Sequence, residues 1–108
     1  MKKNILLTLI ALFCAMYAQA AGKFKIGDLY YNLYLSSTGN TATVTSPSSS
    51  SEEYRGNIII PDSVTYGRDV FVVDMIGSAA FDGCTKVTSV TIPNSVTEIC
   101  SSAFRGCI

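Results

Sequence analysis

The 108-residue sequence predicts a mainly-β chain, a β-hairpin cap followed by a short solenoid of stacked coils, and two observations carry that prediction. The stretch AFDGC at Ala80–Cys84 returns as AFRGC at Ala103–Cys107, so that Ile76, Phe81 and Cys84 recur 23 residues later as Ile99, Phe104 and Cys107. A repeat of that length is one supersecondary unit that stacks on its neighbours because it cannot bury its apolar side alone. Ahead of the repeats, Phe24–Thr45 alternates with the period of a strand, and STGN sits between two such runs as a turn.

The first segment is read as an export signal. Lys2 and Lys3 form a charged start, Ile5–Met16 is an apolar run of twelve residues, and AQA at Ala18–Ala20 supplies the small residues of a cleavage site. Cleavage before Ala21 leaves 88 residues, secreted or held at the cell surface. The apolar run is shorter than the roughly 20 residues of a membrane span. No later segment replaces it, so the mature chain is expected to have no stable span. Cys14 fits a lipid-bearing cysteine badly, with Phe13 before it and Ala11 three residues back.

The next segment, residues 21–53, is the cap with its loop. Leu29, Tyr31, Leu33 and Leu35 fall on one face of the first strand and Tyr30, Asn32 and Tyr34 on the other, while TATVT returns as the second strand. Ser46–Glu53 is polar and Ser-rich, a loop exposed to water.

Residues 54–108 are read as the solenoid, a first coil with an insertion, a second coil and part of a third. IIIPDSV at Ile58–Val64 matches VTIPNSV at Val90–Val96, which marks the first coil. Eleven residues separate the first copy from Ile76, where the later unit has two, so YGRDVFVVD is a strand-bearing insertion. Within the second unit Val87, Val90, Ile92, Val96 and Ile99 are spaced to point inward, and Pro93 ends the strand. Phe81 should stack near Phe104. Gly83 and Gly106 are expected at a turn of positive φ, where any other residue is strained.

At these residues the chain resembles the BspA-type leucine-rich-repeat surface proteins of bacteria, whose units read much like IGSAAFDGCTKVTSVTIPNSVTEI. The resemblance covers roughly Tyr54–Cys107, and the hairpin with GNIIIPDSV is similar to the cap with which such proteins begin. It implies a right-handed solenoid of short strands, export to the cell surface, and attachment to host proteins or other cells. Two departures stand out. Cys100 occupies the position of Gly77, and the array stops after barely two units with no polar cap, as in a truncated solenoid. Self-association through that uncapped C-terminal edge is expected.

Cys84, Cys100 and Cys107 in an exported chain admit either a disulfide or free thiols at a corner. Parallel side chains on a ladder favour free thiols, and an odd count leaves at least one.

Composition narrows the function classes. Without the signal, six basic face eight acidic residues, a net charge of −2, with no basic stripe for nucleic acid. There is no histidine and no C-x-x-C pair, so no metal or other cofactor is expected. The carboxylates are scattered and the serines lack a base, so no catalytic residue is assigned and the chain is not read as an enzyme. What remains is a face. Ile59, Ser89 and Thr91 should point outward from the stacked strands, and Tyr30 and Tyr34 form either a binding stripe or the cover over the first coil. The function expected is an exported adhesion module that takes host or bacterial surface proteins, or glycans, as partners. The alternative is the N-terminal fragment of a longer repeat protein, with no activity of its own.

Overall fold

A computed structural model describes residues 23–48 and 53–107. The expected signal peptide over 1–20, its cleavage point, Cys14, residues 49–52 of the Ser-rich loop and Ile108 lie outside the described residues.

Eight strands and no helix are found among the described residues: β1 (Phe24–Ile26), β2 (Leu29–Tyr34), β3 (Thr41–Thr45), β4 (Gly56–Ile59), β5 (Ser63–Tyr66), β6 (Asp69–Ile76), β7 (Val87–Thr91) and β8 (Glu98–Ile99). The cap is a three-stranded antiparallel meander in which β2 pairs with β1 and with β3. Leu35, placed by alternation on one face with Leu29, Tyr31 and Leu33, falls past the end of β2 and is exposed.

The cap hands over to the solenoid by a parallel pair. Strand β3 lies against β6, and β6 in turn carries β8 parallel to it, with Met75 opposite Glu98 and Ile76 opposite Ile99. The order β3, β6, β8 is therefore one ladder running from cap to first coil to second coil. The other ladder is the parallel pair β4 and β7. The insertion folds as the β5–β6 hairpin, and β5 occupies the part of the β6 edge that the two-residue β8 does not reach.

Between the ladders runs a column of side chains. Phe81 is fully buried, its ring 5.2 Å from that of Phe104 with the planes 1° apart, as the repeat predicts. Tyr54 closes the column from below, 5.0 Å from Phe81. Its hydroxyl donates to the Thr45 carbonyl at 2.6 Å and accepts the Tyr30 N–H at 2.9 Å, which ties the first coil to the cap. Burial pushes the Tyr54 phenol well above its ordinary value and that of Tyr31 up to about 12.

Inward pointing fades along the second coil. Ile76 is fully buried whereas its ladder partner Ile99 is 49% exposed, and Ile92 is also exposed, so the expectation that both face a core is corrected. The cause is position: each apolar side chain here is covered by the coil stacked on it, and no described coil lies beyond the second.

The turns obey the predicted geometry, with Gly83 at φ 71° and Gly106 at φ 76°. Ala79 and Ser102 also take positive φ, at 58° and 62°, a repeated left-handed corner one repeat apart that no glycine marks. Gly77 does not need a positive φ. A Cβ there would lie 3.1 Å from both Thr43 Cγ2 and the Val44 carbonyl, so the residue is glycine because the cap strand closes on it. The second coil has no cap strand against it at Cys100, and the exchange of Gly for Cys does not disturb the turn.

Candidate functional site

The outward side of the β4–β7 pair is set by its register. Asn57 stands opposite Ser89 and Ile59 opposite Thr91, while Ile58 and Val90 between them point inward. The register slips by one residue between Gly56 and Asn57, so Thr88 is left without a partner in β4. Such a bulge turns two consecutive side chains to one face. Both the Thr88 and Ser89 hydroxyls consequently donate to Asn57 Oδ1, at 2.8 and 2.9 Å. The result is a flat surface in which Ile59, 72% exposed, is bordered by hydroxyls whose directions are fixed by one amide oxygen.

Of the five residues the sequence singles out, Ile59, Ser89 and Thr91 are brought together here. Tyr30 and Tyr34 belong to β2 in the other sheet. Tyr30 is 7% exposed, beneath the Lys25 ammonium 5.7 Å from its ring, and lines a groove between the cap and the first coil. Tyr34 is partly exposed, in register with Thr41, Val72 and Ser63 across four strands, and is not adjacent to Ile59. The proposed single face is thus two.

Asn57 and Thr88 are additions the sequence reading missed. Asn57 was within reach, since it lies two residues before Ile59 and alternation puts both on one side; the bulge at Thr88 has no signal in the sequence. Asn57 also forms the lip of the groove between cap and first coil, which measures about 460 Å³. Lys25, Asp28, Glu53 and Arg55 line its walls. An ion pair lies elsewhere, between Arg105 and Asp82, stacked one repeat apart at 2.9 Å. No group of three metal-ligating side chains occurs among the described residues, and no helix there is long and apolar enough to cross a membrane.

Comparison with known proteins agrees with this architecture. Solved structures of bacterial leucine-rich repeat proteins are similar to it. A leucine-rich repeat protein from Bacteroides ovatus is 33% identical over 75% of this chain and 20% of its own, with a TM-score of 0.58. A leucine rich cell surface protein from Faecalibacterium prausnitzii is 32% identical over 80% of this chain and 21% of its own, with a TM-score of 0.60. A leucine-rich repeat protein from Bacteroides capillosus is 31% identical over 81% and 60%, with a TM-score of 0.65. The chain therefore spans about a fifth of the length of the first two. No curated protein matches it. Residues 55–108 match the model of the family described as BspA type leucine rich repeat region, and the chain belongs to that family.

Proposed function

We propose that the chain is an exported, surface-associated adhesion module that holds protein partners on the outer side of β4 and β7. Ile59 is the apolar anchor, and Asn57, Thr88, Ser89 and Thr91 form its polar surround. The single observation that carries the reading is an isoleucine 72% exposed at the end of the paired strand β4, on the same face as Asn57 and the two hydroxyls that Asn57 orients. An exposed apolar side chain beside a rigid polar rim is the arrangement by which interfaces gain area and specificity together. A hydroxyl pair fixed before binding loses little freedom on contact. Surface location is supported by membership in a family of bacterial surface proteins and by the charged, apolar and small-residue order of residues 1–20.

The test is adherence of the purified chain to immobilised extracellular-matrix proteins and to bacterial cells. Ile59→Asp combined with Ser89→Arg should abolish adherence while Val72→Asp, on the other sheet, leaves it intact. Loss with Val72→Asp alone would transfer the function to the surface containing Tyr34. Adherence that survives removal of protein from the target, and is lost on removal of its sugars, would make the partner a glycan. A folded chain that adheres to nothing overturns the proposal.

A further inference from the structure

Cys84 and Cys107 occupy the same corner of consecutive coils, and both are free thiols. The backbones leading to them touch. Phe81 N–H donates to the Ala103 carbonyl and Gly83 N–H to the Arg105 carbonyl, each at 2.7 Å, and a Cβ built on Gly106 would lie 3.4 Å from Gly83 Cα. The two side chains run parallel, as on a ladder: the Cys84 sulfur lies against the backbone of Tyr54, the ring below Phe81, and Cys107 repeats the arrangement one coil on. Its thiol donates to the Phe81 carbonyl at 2.7 Å, and that same oxygen accepts the Cys84 N–H at 3.1 Å. One acceptor atom therefore holds the thiol of the second coil beside the backbone of its counterpart in the first.

The two sulfurs differ in access. Cys84 is 4% exposed and its sulfur lies against the Tyr54 backbone amide; burial raises its thiol above the ordinary range, with further upward contributions from Cys107, Glu53 and Asp82. Cys107 is only partly buried and forms the point of entry.

We propose that Cys84 and Cys107 are a reversible dithiol pair, whose oxidation by a small disulfide of the glutathione class joins the first coil to the second through a covalent bond. The Cys107 thiolate attacks one sulfur of the oxidant and displaces one glutathione thiolate. The Cys84 sulfur then attacks the mixed disulfide at the Cys107 sulfur and releases the second. Two protein S–H bonds are lost, one protein S–S bond forms, the S–S bond of the oxidant is reduced, and the two protons end on two glutathione thiols. Coils about 5 Å apart meet the Cα separation a disulfide requires. Each cysteine must rotate about χ1, Cys107 leaving the Phe81 carbonyl and Cys84 the Tyr54 amide, and each follows a left-handed glycine that leaves the corner free of a neighbouring Cβ.

The experiment equilibrates the whole chain in glutathione buffers of increasing oxidised fraction, alkylates the remaining thiols and maps tryptic peptides without reduction. Trypsin places Cys84, Cys100 and Cys107 on separate peptides, residues 69–86, 87–105 and 106–108. The expected product links the first to the third, and the melting midpoint rises on the order of 10 °C on oxidation and returns with reductant. The shift should vanish in Cys107→Ser. Should Cys84→Ser fail to fold, the map of the unaltered chain still decides. Two alkylated thiols at the most oxidising ratio, a bridge to peptide 87–105 instead, or a bridge without a stability gain would each overturn the proposal.

Discussion

Phe81 and Phe104 are the same residue of the repeat in different surroundings, and the difference sets what each contributes. Phe81 has a ring on both sides, Tyr54 tilted below it and Phe104 stacked above it, and no exposed surface. Phe104 has a ring beneath it and keeps part of its surface in water. Phe81→Ala should cost about 3–5 kcal/mol, the range for truncating a fully buried aromatic. Phe104→Ala should cost about 1–2 kcal/mol, since less area returns to water and no closed cavity remains. Denaturant melts of the two variants check this, and equal losses would contradict a column covered on one side. Gly77 gives a second residue-scale expectation. Gly77→Ala forces a Cβ against the Val44 carbonyl, which is backbone and cannot swing away, and should cost about 1–3 kcal/mol by overpacking. The column was legible in the sequence because a 23-residue period fixes which residues stack. The reason for Gly77 was not, since the residue that excludes a Cβ belongs to the cap, thirty-four positions earlier at Thr43.

At the scale of the elements, two carboxylates, Asp74 on β6 and Asp82 on the turn that follows it, ionise with opposite effects on stability. Asp74 is the bulged residue of β6, where the register to β3 slips, and its carbonyl accepts the Thr97 N–H of the next coil at 2.9 Å. Burial raises the pKa of its carboxyl, and Glu98 nearby adds to the rise. A folded value above the unfolded one favours the protonated acid, so this contribution is fully present below the unfolded pKa and lost as pH rises through the folded pKa. Asp82 is the reverse. The Arg105 guanidinium, bonded to it through Nε and Nη2, holds its carboxyl below the usual range, so its contribution is present above the unfolded pKa and lost as pH falls through the folded one. Asp74→Asn should therefore raise the melting midpoint at neutral pH and lose that advantage below the ordinary carboxylate range. Arg105→Gln should do the opposite, with a small effect that salt diminishes, because the pair is exposed. Melts between pH 3 and 7 distinguish the two. The Asp82–Arg105 pair follows the 23-residue period, although the sequence reading counted Asp82 among scattered carboxylates, whereas the bulges at Asp74 and Thr88 depend on how two strands of unequal path meet. The outer face was correspondingly half legible, with Ile59, Ser89 and Thr91 but without the amide that organises them.

Across the whole molecule, order should decline from the cap toward the second coil. The cap meander and β6 share the most continuous sheet, β3 carries partners on both edges, and Val44, Val73 and Ile76 between them are fully buried. The second coil is held by fewer bonds: two register pairs of β8 to β6, the β7 ladder to β4, and the corner contacts of Ala103 and Arg105 with Phe81 and Gly83. Stability in a stacked array is a sum of units and their interfaces, so a coil with one interface opens without its neighbour. Amide exchange in the 108-residue chain is accordingly expected to be slowest in β3 and β6, intermediate in β4, and fastest in β8 and the Ser101–Cys107 corner. Fusing two further 23-residue units after Ile108 should slow exchange in β7, β8 and that corner toward the values of β6 and leave the cap unchanged, because only the second coil gains an interface. Uniform protection along the unfused chain, or a fusion that slows the cap as much as β7, would mean that the molecule unfolds as one cooperative body rather than as coils of graded stability.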